Sequence, residues 1–210
     1  MDFEMLKRLK SKRNKVYLIN LKEGTSERLA ILKEYSLENR KLLDIEYDNI
    51  NMLKDSDILV PEILYKNKDS LIMEYVQGEL VVDLVDRLKI GKWLDKLALW
   101  MTKLHDIKKG KNSLLKKDVN LRNFIYSNGN IYGLDFEEVG YGDIRLDLSN
   151  ICFFILRNEP SFKKEKYTMM NRFLESYENY SKKKLKDMDS FLLLATTEAE
   201  KRRAINNKTK

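Results

Sequence analysis

The sequence predicts an α+β fold in two parts: a small sheet with one helix at the front, and a mainly helical back that carries one embedded β-hairpin. Three observations predict it. Apolar and polar residues alternate between residues 15 and 35 and in two short runs before residue 76. From Asp83 onward the apolar residues recur at helical spacing, and an Asn-Gly turn interrupts that helical part.

At the front, Val16-Tyr17-Leu18-Ile19 and Leu29-Ala30-Ile31-Leu32 read as strands on either side of a turn at Glu23-Gly24-Thr25-Ser26. Residues 37–54 read as a helix, because Leu42, Leu43, Glu46, Ile50 and Leu53 fall at helical spacing. Two further strands follow, Glu62-Ile63-Leu64-Tyr65 and Leu71-Ile72-Met73-Glu74-Tyr75, separated by the polar turn Lys66-Asn67-Lys68-Asp69.

In the back, Trp93, Leu97, Trp100, Met101 and Leu104 mark one amphipathic helix whose tryptophans belong to the core. Further helices run from Leu146 to Leu156, from Tyr167 to Tyr180 and from about Asp187 to Arg203. Between them lies the hairpin: Asn123-Phe124-Ile125-Tyr126, the turn Ser127-Asn128-Gly129-Asn130, then Ile131-Tyr132-Gly133-Leu134.

A chain of 210 residues holds one large domain or two small lobes, and buries enough surface to need neither disulfides nor a structural metal. With 43% hydrophobic and 35% charged residues it is an ordered, heavily solvated globular protein. The single cysteine, Cys152, excludes an internal disulfide, and its apolar neighbours Ile151, Phe153, Phe154 and Ile155 predict buried packing. With one histidine and one cysteine no zinc site is expected, nor a Ser-His-Asp arrangement around His105, which is read as packing or a structural hydrogen bond. No run approaches the roughly 20 apolar residues of a membrane span. The start, Met1-Asp2-Phe3-Glu4-Met5, lacks the layout of a secretory signal, so a cytoplasmic location is expected. The net charge of +7 favours anionic partners, or marks lysines spread over solvated helix faces.

Chemistry concentrates in Lys117-Asp118-Val119-Asn120-Leu121-Arg122-Asn123, the hairpin, and Leu134-Asp135-Phe136-Glu137. An acid, an amide five residues later and a second acid just past a hairpin converge at one end of that hairpin. A carboxylate accepts a hydroxyl proton and orients the nucleophile. An Asn carbonyl and a further carboxylate are hard oxygen ligands for Mg²⁺.

These residues resemble the protein-kinase-like superfamily, in its aminoglycoside phosphotransferase and choline kinase branch. Kinases carry His-x-Asp-x-x-x-x-Asn followed by Asp-Phe-Gly; this chain has Lys116-Lys117-Asp118 through Asn123, then Asp135-Phe136-Glu137. Gly142-Asp143 and Asp147-Leu148 match the continuation in small-molecule kinases, where both acids are structural, and Leu104-His105 matches the end of a core helix. The resemblance covers roughly residues 10 to 203. It implies a two-lobed protein-kinase-like fold, with an antiparallel sheet and one helix in residues 1–76 and a helical lobe with the hairpin in residues 77–210.

The same resemblance implies the site. Asp118 is the catalytic base, and Asn123 and Asp135 hold the metal. Lys33 grips the α- and β-phosphates, and Glu46 pairs with that lysine. Backbone groups near Glu74 to Val76 bond adenine. No Gly-x-Gly-x-x-Gly is present; Ser11-Lys12-Arg13-Asn14 takes its place, where Ser11 and backbone N–H groups contact phosphate. Lys116 replaces the catalytic-loop histidine, and Asn120 stands where kinases often carry Lys or His. The expected function is an ATP- and Mg²⁺-dependent phosphotransferase acting on a hydroxyl, with a nucleotide and a hydroxyl-bearing small molecule as partners. Two other readings remain: a nucleotide-binding pseudokinase or regulatory module, and a basic nucleic-acid-binding protein. Lys108, Lys109, Lys111, Lys116 and Lys117 crowd the approach to the catalytic loop, either drawing in an anionic substrate or forming a solvated loop.

Overall fold

Alternation at the front builds an antiparallel sheet of five strands: β1 (Asp2–Leu9), β2 (Lys15–Glu23), β3 (Ser26–Glu34), β4 (Ile63–Lys66) and β5 (Ser70–Glu74), in the order β1-β2-β3-β5-β4. In this computed structural model the backbone is described for residues 2–208, and side chains for residues 2–22 and 24–201. The described chain divides into two units, Met1–Gln77 with Tyr132–Glu138, and Gly78–Ile131 with Val139–Lys210.

In the first unit, Ile19 and Leu21 of β2, Ala30 and Leu32 of β3 and Ile72 of β5 form one buried cluster. Residues two apart share a face of a strand, so Ala30 and Leu32 turn to this core while Ile31 and Lys33 turn to the other side. A fully buried Leu or Ile side chain contributes about 1.5–3 kcal/mol, enough to fix the register. Strand β1 was not anticipated. It is a sheet-edge strand whose residues are mostly exposed, so no apolar alternation marks it, and only its backbone pairing with β2 makes it a strand. Helix α1 (Arg40–Lys54) follows a short 3₁₀ turn at Leu37–Asn39 and buries Leu43, Glu46, Ile50 and Leu53. Glu46 is thus a carboxylate on the apolar face of its helix.

The second unit opens with β6 (Glu79–Leu80), α2 (Val81–Asp86) and α3 (Trp93–Asp106). Next come β7 (Lys108–Lys109), β8 (Asn112–Leu115) and the hairpin of β9 (Phe124–Ser127) and β10 (Asn130–Gly133), whose chain continues into the first unit at Tyr132. After β11 (Gly140–Gly142) the helices α4 (Ile144–Arg157), α5 (Lys164–Ser181) and α6 (Met188–Lys208) complete the chain. The hairpin joins β6 in one small sheet, and β11, β8 and β7 make another that was not anticipated. Trp93 and Trp100 are buried, and Trp100 meets Phe124 edge-on with ring centroids 5.5 Å apart. Arg172 of α5 makes a two-pronged ion pair with Asp95 of α3, at 3.0 and 2.5 Å, and Ser176 donates to the same carboxylate at 2.7 Å. Cys152 is buried in α4 as a free thiol. No helix among the described residues is long and apolar enough to cross a membrane.

Candidate active site

In the first unit the chemistry gathers around the Lys33 ammonium. Strand β3 points Lys33 away from the core cluster, and its side chain is almost enclosed at 9% exposure. Nζ lies 2.7 Å from Glu46 Oε2, 3.2 Å from Asp135 Oδ1 and 2.9 Å from Glu137 Oε1. Burial by itself pulls the Lys33 pKa down; the negative charges of Glu46, Asp135 and Glu137 more than offset this, and the pKa is raised. The ammonium therefore stays charged through the neutral range.

Glu46 is held on both oxygens. Its Oε2 accepts from Lys33 and from the Tyr35 hydroxyl, and its Oε1 accepts the Phe136 backbone N–H at 3.3 Å. Tyr35 lies two residues past Lys33 and so returns to the same face. Burial, then the Glu46 charge, raises the pKa of its phenol, which remains a donor. Asn49 Nδ2 donates to the Phe136 carbonyl at 2.8 Å, so α1 grips the segment carrying Asp135 at two points. Asp135 has the left-handed φ of 59°, a conformation that Asp tolerates better than most residues and that re-aims the chain directly after the hairpin. Burial raises the Glu137 carboxyl pKa, against the pull of Lys33.

The loop between β1 and β2 meets the same acids. Asn14 is buried and donates Nδ2 to Glu137 Oε1 at 2.7 Å, while Arg13 pairs with Glu138 at 3.2 Å. Ser11 sits exposed in that loop. At the far end of β5, the Glu74 backbone N–H donates to the Glu62 carbonyl at 2.8 Å, and Val76 is buried.

In the second unit the segment from Lys116 to Asn123 is folded on itself and anchored from α4. Asp147, buried in the first turns of α4, accepts the backbone N–H groups of Lys116 at 2.7 Å and Lys117 at 3.0 Å. It also meets His105 Nε2 at 3.3 Å, and His105 Nδ1 meets the Tyr177 hydroxyl at 2.9 Å. A carboxylate only accepts, so Nε2 carries a proton and donates it to Asp147. His105 is therefore a buried brace, as its solitary occurrence suggested. Asp143 caps α4 by accepting the Arg145 backbone N–H at 2.9 Å. Lys117, immediately before Asp118, takes a left-handed φ of 64°. Asp118 Oδ1 accepts the Asn120 N–H at 3.3 Å, Asn123 Nδ2 donates to the Asp118 carbonyl at 3.3 Å, and Asn120 caps the 3₁₀ turn Leu121–Asn123.

Of the residues picked from sequence, Lys33, Glu46 and Asp135 thus share one cluster, and Asp118 and Asn123 share one loop. Sequence reasoning missed Asn14, Tyr35 and Glu137 as partners of that cluster. The position of Tyr35, two residues from Lys33, was the one local signal.

No protein-family model matches the sequence, and no curated protein matches it. Solved structures do match the fold. Aminoglycoside phosphotransferase APH(2'')-Ib in its ADP-bound form superposes with a TM-score of 0.67 at 15% identity, covering 93% of this chain and 81% of that one. The streptomycin-ATP ternary complex of APH(2'')-IIa gives 0.66 at 15% identity, with 93% and 81% covered. Choline kinase from Cryptosporidium parvum Iowa II gives 0.65 at 12% identity, with 92% and 78% covered. At these identities the likeness establishes the fold: an α+β, protein-kinase-like architecture as in aminoglycoside phosphotransferases and choline kinase.

Proposed function

We propose, from a protein-kinase-like fold of the aminoglycoside phosphotransferase and choline kinase type, that this chain is an ATP- and Mg²⁺-dependent phosphotransferase acting on the hydroxyl of a small molecule. The observation that carries the reading is Lys33 Nζ held 2.7 Å from Glu46 and 3.2 Å from Asp135. A lysine kept charged and aimed by a buried acid is a ready phosphate ligand.

In this reading Lys33 binds the α- and β-phosphates, with Glu46 and Tyr35 fixing its position. Ser11 and backbone N–H groups of its loop contact phosphate. Backbone groups from Glu74 to Val76 bond adenine. Asp118 orients the acceptor hydroxyl and takes its proton, and the bond from Asn123 to the Asp118 carbonyl stiffens that loop. Catalysis is positioning and charge neutralisation, with little covalent chemistry by the protein.

The residues fit a hard divalent cation. Glu46, Asp135 and Glu137 each offer a carboxylate oxygen, all within 4.8 Å of one another. Three carboxylates against the one Lys33 ammonium leave two negative charges. Lys33 engages all three, but Asp135 has the most open side chain, 41% exposed against 1% for Glu46 and 6% for Glu137. Asp135 would hold the ion, and Glu46 remains with Lys33. When bound, Mg²⁺ supplies neutralisation of charge on the transferring phosphate. The streptomycin-ATP complex and the choline kinase among the structural neighbours favour a small-molecule acceptor.

The test is ATP turnover against a panel of aminoglycosides, choline-like alcohols and sugars. Asp135→Ala should abolish metal-dependent turnover. Asp118→Ala should lower transfer about 10²–10⁴-fold, the usual weight of a positioned general base, with nucleotide affinity nearly unchanged. Equal turnover by wild type and both variants refutes the assigned roles. Nucleotide binding without turnover on any acceptor would instead support the pseudokinase reading.

A further inference from the structure

Asn14 ends the loop between β1 and β2 and is 6% exposed. Its Nδ2 donates to Glu137 Oε1 at 2.7 Å, and that same oxygen lies 2.9 Å from Lys33 Nζ. The Asn14 amide thus turns its N–H side to the Glu137 carboxylate, which accepts. The carbonyl Oδ1 is thereby left buried with no hydrogen-bond partner, the one such side-chain atom among the described residues. A buried amide oxygen is costly in that state, and a ligand that brings a donor would satisfy it.

The chemistry of that partner follows from the surroundings. Asn14 bonds Glu137, and the Glu137 carboxylate clusters with those of Asp135 and Glu46 around the single ammonium of Lys33. An orphan acceptor in such company has no use for a phosphate oxygen, which is a further acceptor. It calls for a donor that arrives with positive charge. Mg²⁺ dehydrates reluctantly and keeps several waters, whose hydrogens are strongly polarised donors.

We propose, resting on the phosphotransferase reading above, that Asn14 is a positioning residue whose Oδ1 accepts a hydrogen bond from the hydration shell of a magnesium ion at Asp135. Arg13, the neighbouring residue, does not compete for this role: its side chain is 57% exposed and turns to Glu138 at 3.2 Å.

The test is equilibrium binding of a fluorescent ATP analogue, titrated with Mg²⁺ from an EDTA baseline. For Asn14→Ala the Mg²⁺ concentration giving half-maximal binding should rise about tenfold, the weight of one hydrogen bond. Its affinity in EDTA should fall less than its affinity in excess Mg²⁺, because the bond from Nδ2 to Glu137 is lost under both conditions and only the bond from Oδ1 needs the metal. Asn14→Ser, whose hydroxyl keeps a shorter acceptor, should show a smaller shift, and serves if the alanine variant does not fold. An unchanged Mg²⁺ midpoint, with affinity weakened equally in EDTA and in excess Mg²⁺, overturns the proposal and leaves Asn14 a loop brace while the phosphotransferase reading stands. A wild-type chain with no affinity for the nucleotide under either condition overturns both.

Discussion

Asp147 Oδ2 accepts the backbone N–H of Lys116 at 2.7 Å, so a residue of α4 fixes the start of the loop that carries Asp118. Its other oxygen takes the Lys117 N–H at 3.0 Å, and the buried His105 ring braces the carboxylate from α3. Asp147→Ala strands two N–H donors and a buried imidazole. Unfolding in urea should show a loss of about 3 kcal/mol, the range expected when a buried charged partner is removed. Asp147→Asn keeps one acceptor and should lose less. A loss below about 1 kcal/mol for the alanine variant would mean that water replaces the carboxylate freely.

Glu46 serves three donors: Lys33, Tyr35 and the Phe136 N–H. Glu46→Ala leaves the Lys33 ammonium facing only Asp135 and Glu137, and should destabilise by about 3–5 kcal/mol. Tyr35→Phe deletes one donor while keeping the ring, and should cost about 1 kcal/mol. Thermal unfolding of the two variants compares them directly. Equal costs would show that the phenol, rather than the carboxylate, organises the cluster.

Burial pushes the Cys152 thiol up from its ordinary 9.0 to about 12. An acid whose pKa is raised by folding loses its proton first in the unfolded chain. Its contribution to stability is therefore unchanged below the unfolded pKa and falls by about 1.4 kcal/mol per pH unit above it, until the folded pKa is reached. The stability of Cys152→Ala relative to wild type should improve between pH 8 and pH 10.5 by about 2 kcal/mol. A gap that stays constant with pH contradicts the shift. In the native state at pH 8 the thiol should also resist alkylation until denaturant is added.

A Cβ built on Gly78 would lie 2.5 Å from the Tyr126 carbonyl oxygen and 2.6 Å from Ile125 Cγ2. Backbone on one side and a branched side chain on the other leave little room to yield. Gly78→Ala should destabilise by about 1–3 kcal/mol, the usual cost of forcing extra volume into a packed site. A melting temperature matching wild type would show that β9 shifts aside easily.

Local patterns were legible because they need only neighbours along the chain. Helices α3, α4 and α5 announced themselves through apolar spacing, and the hairpin through Asn128-Gly129. Helix α1 begins at Arg40 rather than residue 37, because Leu37–Asn39 takes a 3₁₀ turn and buries nothing. Strand β1 was illegible because an edge strand exposed along most of its length carries no binary pattern.

By itself, the sequence determined the order of the elements and the short-range spacings that single out Asp118, Asn123 and Asp135, along with Lys33 on a strand and Glu46 on a helix. Only the tertiary structure decided that Asn14 meets Glu137 from 123 residues away, that Glu46 reaches the Phe136 N–H across 90, and that His105 braces Asp147 across 42. The physical reason is range. Periodicity encodes which face of an element turns inward, whereas a buried polar group takes whichever partner the packed chain brings within about 3 Å.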